Sequence, residues 1–250
     1  MLGFLRRIRR TLIEEGHLRK YLTYAVGEIL LVMIGILLAL QVNNWNESRK
    51  AELDLQLLVS NLKQEFETNA VELAQTKILV QSTMNATKRL LSKIGDTELR
   101  ISESELDSLI DVSFFWPTWL PTNNVLVELK NSGKLSSLNH EEIQDLLFKW
   151  ERLFLDIHDW NRRMEEGSQG VIDYVKDNGS LRNVNAYLIG LNRSTLGKSN
   201  TGLLRDIGFE NQLDIKYVYA QFLLEHYQDA DLIIKDIIEE TDDYLKSNSN

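Results

Sequence analysis

Between Tyr21 and Val42 the chain reads YLTYAVGEILLVMIGILLALQV, with Glu28 as its only charge. No other feature narrows the folding options as much. Twenty-two residues of α-helix rise about 33 Å, and a bilayer's hydrocarbon core is about 30 Å thick. A buried helix of a soluble core could share this composition, but the flanks favour a bilayer. Arg6, Arg7, Arg9, Arg10, Arg19 and Lys20 precede the run, against Glu14 and Glu15 alone; Gln41, Asn43, Asn44 and Trp45 follow it. A basic side and a polar-aromatic side are what the two faces of a membrane select, with the basic side inward. The expectation is a basic cytoplasmic tail over 1–20, a transmembrane helix over 21–42, and an extracytoplasmic domain over 43–250. In a bacterial inner membrane that domain is periplasmic. Arg19, Lys20, Asn43, Asn44 and Trp45 are the expected interface anchors. No small-residue cleavage pattern follows the run, which reads as an uncleaved signal anchor.

Inside the span, spacings of four, seven and four put Tyr24, Glu28, Gly35 and Ala39 on one stripe. Gly35 and Ala39 form a small-xxx-small pair that lets helix backbones approach, and a carboxyl in hydrocarbon is costly unless it has a partner. The stripe reads as a packing face, with a proton-relay carboxylate or a residue turned to the headgroups as the alternatives. Before the span, Phe4, Leu5, Ile8, Leu12 and Ile13 alternate with arginines at helical spacing. That suits either a helix on an anionic leaflet or a basic tail that only sets topology.

The remainder is predicted to be all-α. Only two prolines occur in 250 residues, which favours long unbroken helices. Residues 47–94 carry Leu55, Val59, Leu62, Phe66, Leu73, Val80, Leu90 and Ile94 in steps of three and four. Asn69, Thr76, Thr83 and Thr87 share that register, so the helix is a polar-interrupted coiled-coil seam. The membrane helix runs into it without a breaker. Residues 140–178 repeat the pattern through Leu146, Trp150, Phe154, Ile157, Trp160, Met164, Val171 and Tyr174. Residues 210–245 do so through Leu213, Tyr217, Ala220, Leu224, Tyr227, Ile233, Ile237, Thr241 and Tyr244. The expected architecture is one N-terminal transmembrane helix continuing into an elongated antiparallel helical bundle. Between the first two long helices, Ser102 and Glu105 form a capping box for a helix to Phe114, and Asn123–Asn131 is a second short helix stopped by Gly133. The stretch between them, FFWPTWLPT, holds both prolines; Phe115, Trp116 and Trp119 either cap the core or form an aromatic contact loop. Residues 180–208 read as a loop with one short helix.

Chemistry is harder to find. The segment GLNRSTLGKS, 190–199, ends like a phosphate-binding loop, but six residues separate Gly190 from Gly197 where the motif allows four, so no nucleotide is expected. His17, His140, His158 and His226 lack metal-ligand spacing, and the chain has no cysteine, so no metal or cofactor is assigned. The acidic pairs Glu165–Glu166, Glu239–Glu240 and Asp242–Asp243 splay around their helices. A net charge of −9, with the basic residues gathered at the N-terminus, argues against nucleic acid. No catalytic residue is assigned and no enzyme is expected.

The run KYLTYAVGEILLVMIGILLALQVNNWNE, 20–47, resembles the hallmark of a family of uncharacterised single-pass inner-membrane proteins from Bacteroidota. The segment PTNNVLVELKNSGKLSSLNHEEIQDLL, 121–147, is similar to that family's second recurring block. The resemblance implies a compartment and no mechanism, and it places Glu28, Asn43, Asn44 and Trp45 in the family signature. The expected function is an anchored interaction or scaffold protein whose partners are the lipid bilayer and a second copy or another membrane protein. A sensory ligand-binding bundle acting through a partner, and an accessory subunit of an ion-driven machine using Glu28, are the alternatives.

Overall fold

The computed structural model describes residues 18–248 apart from 97 and 99, with the side chains of 18–21 and 187–189 outside the description. The basic tail therefore lies outside the described residues, as do the side chains of Arg19 and Lys20. Every regular element among the described residues is helical. Helix α1 is Leu18–Leu91, α2 Glu103–Phe114, α3 Asn124–Asn131, α4 Lys134–Ser137, α5 Glu141–Asn178, α6 Leu181–Ile189 and α7 Ile207–Ser247, with a 3₁₀ turn at Asn200–Arg205 before α7. The chain divides into two units, Met1–Gln56 and Leu57–Asn250, and α1 contributes to both.

In the first unit α1 buries almost nothing. Its most apolar 18-residue window has a mean hydropathy of 2.4 and no buried residue, and α1 is the one described helix long and apolar enough to cross a membrane. Leu22, Val26, Ile29 to Ile34, Ile36 to Leu38, Leu40 and Val42 are all exposed.

The second unit is a bundle whose chain direction can be read from its ion pairs. Lys63 meets Asp242 at 2.6 Å and Lys77 meets Asp231, so α7 descends as α1 rises. Helix α5 also opposes α7: the His140 ring packs on Tyr244 at its start, Trp160 on Phe222 midway, and the Tyr174 hydroxyl donates to Asp206 near its end. Helices α1 and α5 run the same way, since Phe66 packs on Trp150 while Ala86 and Leu90 share a core cluster with Val171 and Val175. The return between them is made by residues 103–137. Helix α2 begins beside the end of α1, where Arg89 pairs with Glu105, and α3 begins beside Glu65. The antiparallel bundle thus has a fourth member, broken into α2, an extended crossing and α3–α4.

The α1 seam follows the expected register: Val59, Leu62, Phe66, Asn69, Leu73, Val80, Thr83, Thr87 and Leu90 are buried and Thr76 half-buried. Thr83 and Thr87 satisfy their hydroxyls on the carbonyls of Val80 and Thr83, so they enter the core without an orphaned donor. In α5 the buried midline is offset from the expected one. Ile143, Leu147, Leu153, Asn161, Ser168 and Val175 lie on it, while Leu146, Phe154, Trp160 and Tyr174 are half-buried at its edge. The apolar arc of α5 is wider than one stripe, and its neighbours choose the midline. In α7, Ile234 and Lys216 are buried where Ile233 and Tyr217 were expected, and these last two are half-buried. Helices α5 and α7 approach closely at Gly167, where a Cβ would stand 3.1 Å from Tyr219 Cδ2 and 3.3 Å from Lys216 Cα. Gly95, four residues past α1, takes φ +74°, and its N–H donates to Leu204 O at 2.8 Å.

Candidate functional site

The crossing at 115–123 is non-helical, so its peptide groups have no ladder partners, and Trp119 is its one buried residue. A buried peptide group left unpaired costs about 1–3 kcal/mol, so the Trp119 amide and carbonyl in particular need side chains from elsewhere. The three long helices supply them. From α7, Lys216 Nζ donates to Phe115 O at 2.9 Å, and Tyr227 Oη accepts from Trp119 N at 3.1 Å. From α5, Asn161 Nδ2 donates to Trp119 O at 2.8 Å, and its Oδ1 accepts the Tyr227 hydroxyl at 2.8 Å. From α1, Asn69 grips Thr122 on both sides: its Nδ2 donates to Thr122 O and its Oδ1 accepts from Thr122 N, each at 2.9 Å. Glu65 accepts from the amides of Asn124 and Val125, capping α3, whose own N-cap Asn123 makes no side-chain cap bond. Pro117 and Pro121 remove two donors that would otherwise need partners.

The aromatics divide. Trp119 is 1% exposed, edge-on to Trp150 and Tyr227, and its indole N–H has no hydrogen-bond partner among the described residues. Phe115 and Trp116 are 50% and 38% exposed. The core reading therefore holds for Trp119, and an exposed aromatic edge remains at Phe115 and Trp116.

Lys216 is the unusual member. Its residue is fully buried, and its second acceptor is Ser168 Oγ. The Ser168 hydroxyl already donates to Met164 O, so its oxygen is turned toward the amine. No carboxylate lies within ion-pair distance of Lys216 among the described residues, and burial pulls the ammonium down to about 7. Burial also pushes the Tyr227 hydroxyl up and raises the Glu65 carboxyl, the latter against its two backbone bonds. Changing Asn69 to alanine removes both of its backbone bonds to Thr122, each worth about 0.5–1.5 kcal/mol, so a loss of about 1–3 kcal/mol in urea denaturation is expected.

A second polar cluster lies where α2 meets α6. A cavity of about 210 Å³ is lined by Ser104, Asp107, Asn183, Ala186, Leu191 and Arg193. Its groups answer one another. Asp107, 1% exposed, takes Asn200 Nδ2 on Oδ1 at 2.7 Å. Its Oδ2 stands 2.8 Å from Arg193 Nη2, close enough for an ion pair although the N–H points elsewhere and makes no hydrogen bond to it. The same guanidinium reaches Glu103 at 3.2 Å. The segment that resembles a phosphate loop is tied down here: Ser194 N donates to Asn183 Oδ1, Asn183 Nδ2 to Lys198 O, and Arg182 Nε to Asn192 O. Arg193 and Asn183 fasten the loop and do not aim at a vacant centre.

The histidines are dispersed. His140 Nδ1 caps α5 at Ile143 N, His226 bonds Phe222 O, and His158 is exposed. Among the described residues no three His, Cys, Asp or Glu side chains converge as a metal set.

In the first unit Tyr24, Glu28, Gly35 and Ala39 are exposed on α1, within one arc of the helix, and a Cβ on Gly35 would meet nothing within 4 Å. Asn43 Nδ2 donates to Glu47 at 2.9 Å, the Arg49 guanidinium lies 5.9 Å from the Trp45 ring, and Asn44 is exposed.

The family model described as "Family of unknown function (DUF6090)" matches residues 28–166. The chain belongs to that family. No curated protein and no solved structure matches it. The DUF6090 stretch begins at Glu28 and takes in Glu65, Asn69, the crossing and Asn161. Ser168, Lys216 and Tyr227, which complete the grip on the crossing, lie beyond it. Of the gripping residues, the seam register had singled out only Asn69 and Tyr227. A lysine three residues after Leu213 and four before Ala220, on a core stripe, was the signal for Lys216.

Proposed function

We propose that this DUF6090 chain is a single-pass inner-membrane protein of a Bacteroidota-type cell, anchored by α1. Its second unit serves as a periplasmic interaction scaffold, assembling with a second copy or another membrane protein. One observation carries the reading: over 22–42 the chain is a helix whose large apolar side chains are exposed among the described residues. Covering that surface with acyl chains is favourable by about 25 cal/mol per Å² of apolar area. Sidedness follows from the arginines before the run, and association follows from the Glu28, Gly35 and Ala39 stripe, where a partner helix could approach and satisfy the carboxyl.

Crosslinking in native membranes, with Glu28→Gln beside the wild type, is the test. The scaffold reading expects the protein to stay in the membrane fraction after alkaline extraction and to form crosslinked species in both versions. A soluble, uncrosslinked chain would defeat it. Capture of a polytopic partner whose activity the Glu28 substitution abolishes would make Glu28 a working carboxylate of a larger machine.

A further inference from the structure

We propose that residues 115–123 form a strap that opens as a unit from the helical core, and that Lys216 is its latch, closed by the neutral amine and loosened by the ammonium. The geometry argues for a neutral latch before any titration is considered. Two acceptors face Nζ, Phe115 O and Ser168 Oγ. A neutral amine has two N–H groups and satisfies both; an ammonium has a third donor and a full charge, with no carboxylate to answer either. Downward pressure on the ammonium from burial agrees with this.

The titratable groups on the surrounding elements do not replace a counter-ion. Asp111 on α2 is buried but beyond ion-pair distance, and burial raises its own carboxyl. Glu165 and Glu166 on α5 and Asp214 on α7 are exposed, Tyr219 is half-buried, and the buried side chains of α1 between 73 and 90 are all non-titratable. The strap is separable from the helices because most of its fixed peptide groups are held by side chains and not by a continuous backbone ladder.

The sign follows from linkage. The open strap leaves Lys216 solvated near 10.5, and the closed strap holds it near 7. Between these values only the open state keeps its proton, so closure strengthens about tenfold per pH unit as pH rises from 7, and it is flat below 7 where both states are protonated.

The test is hydrogen exchange of the full chain in detergent micelles, following the amides of Trp119 and Thr122 from pH 6 to 9 after correction for intrinsic exchange. These amides are expected to open more often than those of Leu62 and Phe66, with protection flat to pH 7 and about a hundredfold higher at pH 9. Lys216→Met should abolish the slope. A flat wild-type profile, a slope that survives Lys216→Met, or strap amides no more open than the α1 core would each overturn the proposal. Should that variant not fold, the wild-type profile and the comparison with Leu62 and Phe66 decide it.

Discussion

Replacing Trp119 with alanine is expected to remove about 3–5 kcal/mol from the stability of the second unit, the range for emptying a fully buried aromatic site. The ring sits edge-on between Trp150 and Tyr227, so its removal would open a cavity against α5 and α7, beside the contact of Trp150 with Phe66 of α1. The backbone bonds to Asn161 and Tyr227 would remain available, which assigns the loss to packing. A domain's whole stability is about 5–15 kcal/mol, so the change should be visible as a large drop in the urea midpoint of the full chain. Phe115→Ala, four residues away at a half-exposed site, should cost under about 1 kcal/mol. Equal losses at the two positions would show that the crossing is not embedded through Trp119.

Arginines at Leu31 and Ile34 should produce the other large effect. Both side chains are exposed near the middle of the apolar run. Each arginine at the centre of a membrane helix costs about 2.5–3.5 kcal/mol on insertion scales, so the pair weakens insertion by about 5–7 kcal/mol, at least a thousandfold. The double variant should move to the supernatant on alkaline extraction, or be degraded, while Glu28→Gln stays in the pellet. Retention of the double variant in the membrane would remove α1 as the anchor. A surface helix of a soluble protein would tolerate both arginines, since Leu31 and Ile34 are exposed among the described residues.

These two experiments probe parts of the chain that were unequally legible. The span, the α1 seam and the helix limits rest on local rules. Ser102 caps α2 by accepting from Glu105 N at 3.1 Å, as the capping box at that position predicts. The expected helices over 140–178 and 210–245 appear as Glu141–Asn178 and Ile207–Ser247, because periodicity and glycine stops are read within a few turns. The stripe midline of α5 does not follow from local rules. An apolar arc that includes both Leu146 and Leu147, and both Leu153 and Phe154, can be centred on either set, and only the packing of α1 and α7 selects one.

By itself, then, the amino-acid sequence determined that the chain is all-α, that its N-terminal helix carries a membrane-length apolar run, and that three long helices share a seam. Those properties depend on residues within about seven positions of one another. Tertiary structure alone decided that the FFWPTWLPT crossing is a fourth, non-helical member of the bundle. It also decided that Trp119 enters the core while Trp116 does not, and that Lys216, Asn161 and Glu65 hold the crossing's backbone. Each of those assignments joins residues 42 to 108 positions apart, as Asn161 with Trp119, Glu65 with Asn124 and Tyr227 with Trp119 illustrate. A polar side chain on a core stripe is costly or stabilising according to the partner it meets, and that partner is brought to it only by the fold.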